Sequence, residues 1–429
     1  MMIASGPAFA APPHVVILGG GFGGLYAAQA LADAPVRVTL VDRRNHHVFQ
    51  PLLYQVATAG LSAPDIAAPI RSILRKQSNV TVLLAEARQI DPGARRIALD
   101  VGPLEYDFLI LATGATHSYF GHDEWAPFAP GLKDLDDAFE IRSRILTGFE
   151  RAEAARDEAE RMRWLTFVIV GAGPTGVELA GAIGEIAHKT MARDFRNFDP
   201  RSARIILVDG ADRALPTFPA ASSRDAARLL AERGVELVLG ARATTVDAEG
   251  VMLDGTRRIE ARTVLWAAGV ASSPLAAGLG VPLDRLGRVL VAPDLSVPGH
   301  PEVFVVGDLA AVEVDGAYLP GVAQPAIQEG RAAAANVARR ARGEAGEPFR
   351  YKDLGMMATI GRSAAVALVG GRVFSGYLAW LLWVFIHITW LIGFRNRVFV
   401  MFDWAWAYWT WGRRARVILG RRAGPPPEA

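Results

Sequence analysis

Three glycines, at positions 19, 21 and 24, have the type and spacing to hold a pyrophosphate. The first permits a tight turn, the second lets backbone come up against phosphate, and the third lets the next helix pack on the preceding strand. Gly171, Gly173 and Gly176 repeat the pattern. In each case the free N–H groups and dipole of a helix N-terminus would face the anion. An acid follows each set: Asp42 (beside Arg43), 23 residues after Gly19, and Asp209, 38 residues after Gly171. A carboxylate at either place can accept ribose hydroxyls. At Asp209 it would repel a 2′-phosphate, favouring NADH over NADPH, a preference that nearby Arg213 softens.

Other residues have chemistry to offer. Glu178 lies two residues past Gly176, on the first turn of a helix, where a carboxyl would meet the reacting end of a bound dinucleotide. Gln324 and Gln328 are four apart, so on a helix they share a face and both can hydrogen-bond a carbonyl. Thr113-Gly114 and Gly307-Asp308 each close an apolar strand, and Asp308 has the reach to bind a sugar-alcohol chain. His46 and His47 suggest a metal, but no second ligand group follows at a recognisable spacing, so both read as structural.

The elements that must position these groups recur. His14–Gly19, Phe22–Ala32 and Val36–Asp42 read as strand, helix and strand, and the same grammar returns at Phe167–Val170, Val177–Ile186 and Ile205–Asp209. Leu104–Ala112 reads as a strand closing the first unit, Asp134–Arg163 as a surface helix, and Val264–Ala268 and Val303–Val306 as further strands. The expectation is an α/β chain with two Rossmann-like domains. One comprises 14–130 with 295–345, the other 164–294; segment 131–163 connects them, a lead-in at 1–13 is disordered, and 346–429 forms a helical membrane-associating region.

Length alone, 429 residues, favours two or three domains. The absence of cysteine excludes disulfides, thiolate metal sites, iron–sulfur clusters and redox-active cysteine pairs. Met1–Pro13 lacks a basic segment, so it reads as no signal peptide and the catalytic body as cytoplasmic. Val373–Phe394 runs 22 residues without Asp, Glu, Lys or Arg, long enough to span a bilayer. Arginines on both sides (362 and 372, then 395, 397, 413, 414 and 416) and the tryptophan-rich segment Phe399–Trp411 argue instead for an anchor lying in one leaflet, against anionic headgroups. Nucleic acid is the less fitting partner for arginine mixed with tryptophan.

Taken with Asn45–Gln55, Trp266-Ala267-Ala268-Gly269-Val270, Ala323-Gln324-Pro325-Ala326-Ile327-Gln328 and Gly393-Phe394-Arg395-Asn396-Arg397, the chain resembles the type II NADH:quinone oxidoreductases of the two-dinucleotide-binding flavoproteins over almost its whole length. The resemblance implies non-covalent FAD in the N-terminal unit, with Gly19, Gly21, Gly24, Asp42, Arg43, Thr113, Gly114, Gly307, Asp308, Ala323 and Gln324 around it. It implies NADH as substrate at Gly171, Gly173, Gly176, Asp209 and Gly269. A membrane quinone would lie near Tyr54, Gln55, Gln324 and Gln328, with Glu178, Gln324 and Gln328 taking part in electron transfer. The implied setting is monotopic, on the cytoplasmic face of the cell membrane, with a homodimer left open. Two rivals share the scaffold: a soluble ferredoxin or rubredoxin reductase, and a non-catalytic NADH-sensing flavoprotein.

Overall fold

The computed structural model describes residues 11–391, 394–410 and 415–418. Most of the expected lead-in, Arg413, Arg414 and the side chain of Arg395 lie outside the described residues. The chain forms two compact units: Met1–Val48, Ala67–Thr116 and Val270–Asp353 make the first, and Phe49–Ile66, His117–Gly269 and Leu354–Ala429 the second.

In the first unit, strand His14–Leu18 lies at the centre of a parallel sheet. Arg37–Asp42 and then Val80–Leu84 extend it on one side, Phe108–Leu111 and His300–Val305 on the other, and Ser296–Val297 adds an antiparallel edge. Val15–Leu18 and Leu109–Leu111 are apolar at every position because helices cover a parallel sheet on both faces. Helix Phe22–Ala30 packs against helix Ala323–Ala341, where a Cβ on Gly330 would run into the carbonyl of Gly23. The strand expected over Leu104–Ala112 is two strands. Gly102–Glu105 joins an antiparallel meander with Ala87–Asp91 and Arg96–Leu99, while Phe108–Leu111 joins the main sheet. The break falls at Asp107, whose carboxylate accepts the His14 N–H at 2.7 Å.

The second unit repeats the plan with Thr166–Val170 between Arg204–Asp209 and Thr263–Trp266, and Val235–Leu239 beyond Arg204–Asp209. The single surface helix expected at Asp134–Arg163 is two helices, Leu135–Ala154 and Glu158–Trp164, each started by its own aspartate cap, Asp134 and Asp157. The first is not a surface element: it buries Ala138, Ile141, Ile145 and Phe149, and the Phe149 ring stacks on Phe167 at 5.3 Å.

The C-terminal part differs most from expectation. Before any tail helix comes an antiparallel sheet of Met356–Gly361, Ala364–Val369 and Arg372–Ser375. It packs on helix Pro174–Glu185 and belongs to the second unit, as does segment Phe49–Ile66, so the unit boundaries differ from those expected. Val373–Ser375 of the long apolar run are strand, which shortens the helix to Gly376–Trp390. No helix of the described residues is long and apolar enough to cross a membrane. Helix Gly376–Trp390 covers the middle strand with Ala379 and Trp383, and helix Phe394–Thr410 packs on Ala63–Ile66.

Strand Met356–Gly361 approaches helix Pro174–Glu185 so closely that a Cβ on Gly181 would overlap the Ile360 carbonyl. Gly181→Ala should therefore destabilise the protein by about 1–3 kcal/mol in denaturant unfolding. Gly278→Ala, with nothing within 4 Å of its added Cβ, should change stability by less than about 0.5 kcal/mol. Equal effects would place the helix–strand approach elsewhere.

Candidate dinucleotide and quinone site

The two glycine turns are built alike. Gly19 and Gly171 hold φ of +102° and +109°. A Cβ on Gly24 would overlap the Gly19 carbonyl oxygen, and one on Gly176 that of Gly171, so strand and helix close up only because both positions lack side chains. The middle glycines have the opposite environment: a Cβ on Gly21 or Gly173 would meet nothing within 4 Å. Each is an extended N-cap with no side-chain cap bond, which leaves the first helical N–H groups for a ligand. An uncapped helix start opening onto free space fits a pyrophosphate.

The acids are pinned in the same way. Asp42 accepts the N–H groups of Gly20 at 2.6 Å and Arg44 at 2.7 Å. Asp209 accepts those of Ala172 at 2.5 Å and Ala211 at 2.7 Å. Each carboxylate thus ties the glycine turn to the end of the neighbouring strand, and each oxygen keeps a lone pair for a hydroxyl. Arg43 is exposed beside Asp42, and Arg213 donates to the Pro216 carbonyl at 2.8 Å.

Around the first turn, within its own unit, stand Thr113, Gly114, Gly307 and the start of helix Ala323–Ala341. A Cβ on Gly19 would come 3.2 Å from the Thr113 nitrogen, and one on Gly307 would lie 3.4 Å from the Ala326 methyl. Thr113 Oγ1 and Gln324 Oε1 are buried with no hydrogen-bond partner among the described residues. Buried polar groups are nearly always satisfied, so these two atoms suit a bound polar group such as a flavin. Gln328 differs: its amide donates to the Lys352 carbonyl at 2.9 Å and accepts the Lys352 N–H at 3.0 Å, a buttress for that loop. His47 is buried, with Nδ1 2.9 Å from the Gly20 carbonyl and Phe22 edge-on at 5.0 Å. Burial pulls it down to about 4, so the ring is neutral. Among the described residues no group of His, Asp or Glu is arranged to hold a metal ion.

In the second unit Glu178 is half-buried on helix Pro174–Glu185; because the helix starts at Pro174, it is the fifth residue and lies just past the first turn where it was expected. Burial pushes its carboxyl up to about 8, against the opposing pull of the Thr359 N–H, 3.5 Å from Oε1. The same helix receives short helix Leu53–Ala57, which carries Tyr54 and Gln55. Gln55 donates to the Tyr54 hydroxyl at 2.9 Å and accepts the Trp404 indole N–H at 2.8 Å. Trp404 packs 5.3 Å from Trp383, and Trp383 stacks on His387 at 4.3 Å. His387 bonds the Trp383 carbonyl through Nδ1 at 2.7 Å, and burial pulls it down to about 4. Near the second turn, the Trp266 indole donates to the Ser118 carbonyl at 2.8 Å, and a Cβ on Gly269 would come 2.7 Å from the same oxygen.

The residues expected from sequence thus divide: Thr113, Gly114, Gly307, Asp308, Ala323, Gln324 and Gln328 belong to the first unit, Tyr54, Gln55, Glu178 and Gly269 to the second. Thr359 and Trp404 were not foreseen. Thr359 acts through its backbone, which no residue type reveals. Trp404 reaches Gln55 across 349 positions of chain.

Comparison with known proteins agrees with this geometry. Residues 13–330 match the pyridine nucleotide-disulphide oxidoreductase family. The chain is 46% identical to the type II NADH:quinone oxidoreductase Ndh of Mycobacterium tuberculosis, over 96% of this chain and 92% of that protein. It is 49% identical to NdhA of the same organism, over 91% and 86%. In fold it is similar to NDH2 from Plasmodium falciparum in complex with NADH, with a TM-score of 0.85 and 20% identity over 95% of this chain and all of that one. The Aquifex aeolicus sulfide:quinone oxidoreductase follows at 0.70 and 19%, over 95% and 92%.

The open space at Gly21 makes a sharp prediction. Gly21→Val should leave the stability of the flavin-free fold within about 1 kcal/mol of the parent, yet lose the bound flavin, read from the visible absorbance of the purified protein. A yellow Gly21→Val protein with full occupancy contradicts the pyrophosphate assignment.

Proposed function

We propose a reaction from one premise: the chain belongs to the type II NADH:quinone oxidoreductases, within the pyridine nucleotide-disulphide oxidoreductase family. The protein uses FAD and oxidises NADH, passing the electrons to a quinone. The observation that carries this is a pair of complete, matching glycine turns in a chain without cysteine. Two dinucleotides have a place to bind, while the thiol chemistry of other enzymes on this scaffold has no residue to perform it. FAD held by the first glycine turn would supply a hydride acceptor toward NADH and an electron donor toward the quinone.

The chain's own residues do the rest. The Gly19–Gly24 turn holds the FAD pyrophosphate, Asp42 its ribose, Asp308 its sugar-alcohol chain, and Thr113 and Gln324 offer polar atoms to the ring system. The Gly171–Gly176 turn and Asp209 hold NADH, and Asp209 disfavours a 2′-phosphate. Quinone reduction consumes one proton more than the hydride supplies. Glu178, protonated at neutral pH because burial disfavours its charge, is the proposed donor of a hydrogen bond or proton to a quinone oxygen. Tyr54 and Gln55 flank the quinone, and Gln328 holds the loop behind Gln324.

We further propose that the C-terminal helices rest in one leaflet of an anionic membrane, on the cytoplasmic face where NADH is supplied. Tyr377, Leu381 and Phe385 are exposed at four-residue spacing on one helix, and Phe399, Phe402 and Trp406 on the next. Two exposed apolar stripes rich in aromatic rings suit the interface of a bilayer. A quinone then reaches the protein without leaving the lipid.

Two outcomes follow. Turnover should fall as pH rises through about 8, where Glu178 loses its proton. Glu178→Gln should remove that limb and slow quinone turnover about tenfold, or about 1.4 kcal/mol of barrier, with FAD occupancy unchanged; unchanged kinetics would return Glu178 to a structural role. Separately, the double variant Phe385→Asp, Trp406→Asp should release the protein from anionic liposomes while leaving NADH–ferricyanide turnover intact. Undiminished liposome binding contradicts the membrane surface.

A further inference from the structure

Helix Ala323–Ala341 turns an apolar face into the first unit through Ala326, Gly330, Ala333 and Val337. One acid lies on that face. Glu329 is 2% exposed and precedes Gly330, which rests against the Gly23 carbonyl of the first cradle helix. A carboxyl in such a place costs stability unless it is hydrogen-bonded. Its Oε2 accepts the N–H of Gly307 at 2.6 Å. Gly307, at φ +73°, is the turn that ends strand His300–Val305 and presents Asp308.

We propose that Glu329 is a positioning residue for the flavin, fixing the Gly307 turn from behind so that Asp308 is held at the angle its sugar-alcohol contact requires. The inference rests on FAD binding by the first unit and is independent of the acceptor and of Glu178. A left-handed turn at the end of a strand has few restraints of its own, and here the restraint comes from a helix 22 residues further along the chain.

The charge state of the carboxyl matters. Burial pushes it up to about 8, the Gly307 N–H opposes this, Asp308 adds to it, and Arg288 counters it. Tyr351 also faces it. Glu329 is therefore neutral at pH 7, with one oxygen accepting from Gly307 and the other free to carry the proton. Because the folded protein holds this proton more tightly than the unfolded chain, the associated stability is fully present in acid and is lost as pH rises through about 8. Above that pH a second negative charge stands beside Asp308 and the turn loosens.

The test is flavin release from the holoenzyme, followed by the fluorescence of free FAD between mildly acidic and alkaline pH, with thermal unfolding alongside. The parent should release FAD faster as pH rises through about 8 and level off above it. Glu329→Gln keeps a neutral acceptor for the Gly307 N–H, so it should hold FAD as tightly as the parent at pH 7 and show a flat pH response. Glu329→Leu removes the acceptor and should release FAD faster at every pH. Two results overturn the proposal: Glu329→Gln rising with pH as the parent does, or Glu329→Leu retaining FAD like the parent. If Glu329→Leu does not fold, the comparison of parent with Glu329→Gln decides alone.

Discussion

A Cβ on Gly24 would overlap the carbonyl oxygen of Gly19, and a Cβ on Gly176 would overlap that of Gly171. Strand, turn and helix can close on one another in each unit only because these positions are bare. That closure aims the uncapped helix N-terminus at the space beside Gly21 or Gly173, so the proposed anion site follows from the packing. Asp42 and Asp209 then lock each turn to its neighbouring strand through two backbone N–H groups apiece. The acid proposed to bind ribose is thus also a structural brace. Its carboxylate is already oriented before any hydroxyl arrives, which lowers the ordering cost of binding.

The cradles were legible because their chemistry is local. Glycine spacing, the apolar strand before and the acid after all lie within about forty residues, and each is a residue-type requirement. Local signals also gave the buried strands at His14–Leu18 and Thr166–Val170. What stayed hidden is carried by backbone and by distant pairing. The antiparallel sheet from Met356 to Ser375 hid inside sequence that read as the start of a membrane region, because its inward side chains are mostly alanine and valine at Ala364–Ala367. Small apolar residues fit a sheet under a helix as well as a helix under lipid. The two-helix break near Ala155 turned on Asp157 acting as a cap, one of several acids in a charged stretch.

That unforeseen sheet bears on the chemistry of Glu178. Helix Pro174–Glu185 meets strand Met356–Gly361 and its following turn at three successive levels: Glu178 beside the Thr359 N–H, Gly181 against the Ile360 carbonyl, and Glu185 accepting the Arg362 N–H. Positions 178, 181 and 185 share one helix face. Gly181 sets the approach distance, and the approach strips water from Glu178. A glutamate near the N-terminus of a helix is ordinarily an ionised one, favoured by the dipole. Here desolvation outweighs the dipole and the single long hydrogen bond, and the carboxyl is held up to about 8. Sequence position alone predicts the wrong charge for this residue; packing from a strand some 180 residues away decides it.

The same sheet carries helix Gly376–Trp390 on its middle strand, and that helix divides its side chains between two environments. Ala379 and Trp383 face the protein, while Tyr377, Leu378, Leu381 and Phe385 are exposed. Burying those exposed rings in a protein core would need a further layer, which the described residues do not supply. Exposed apolar area on this scale is costly in water and favourable in a headgroup region. His387 fits this division: it lies against Trp383 and Phe49, and burial keeps it neutral, so it adds no charge to the lipid-facing side. The link from Trp383 through Trp404 to Gln55 is continuous packing within one unit. The residues proposed to flank the quinone are therefore anchored on the same aromatic cluster that supports the proposed membrane surface, an arrangement that would let a lipid-soluble acceptor meet both without crossing bulk water.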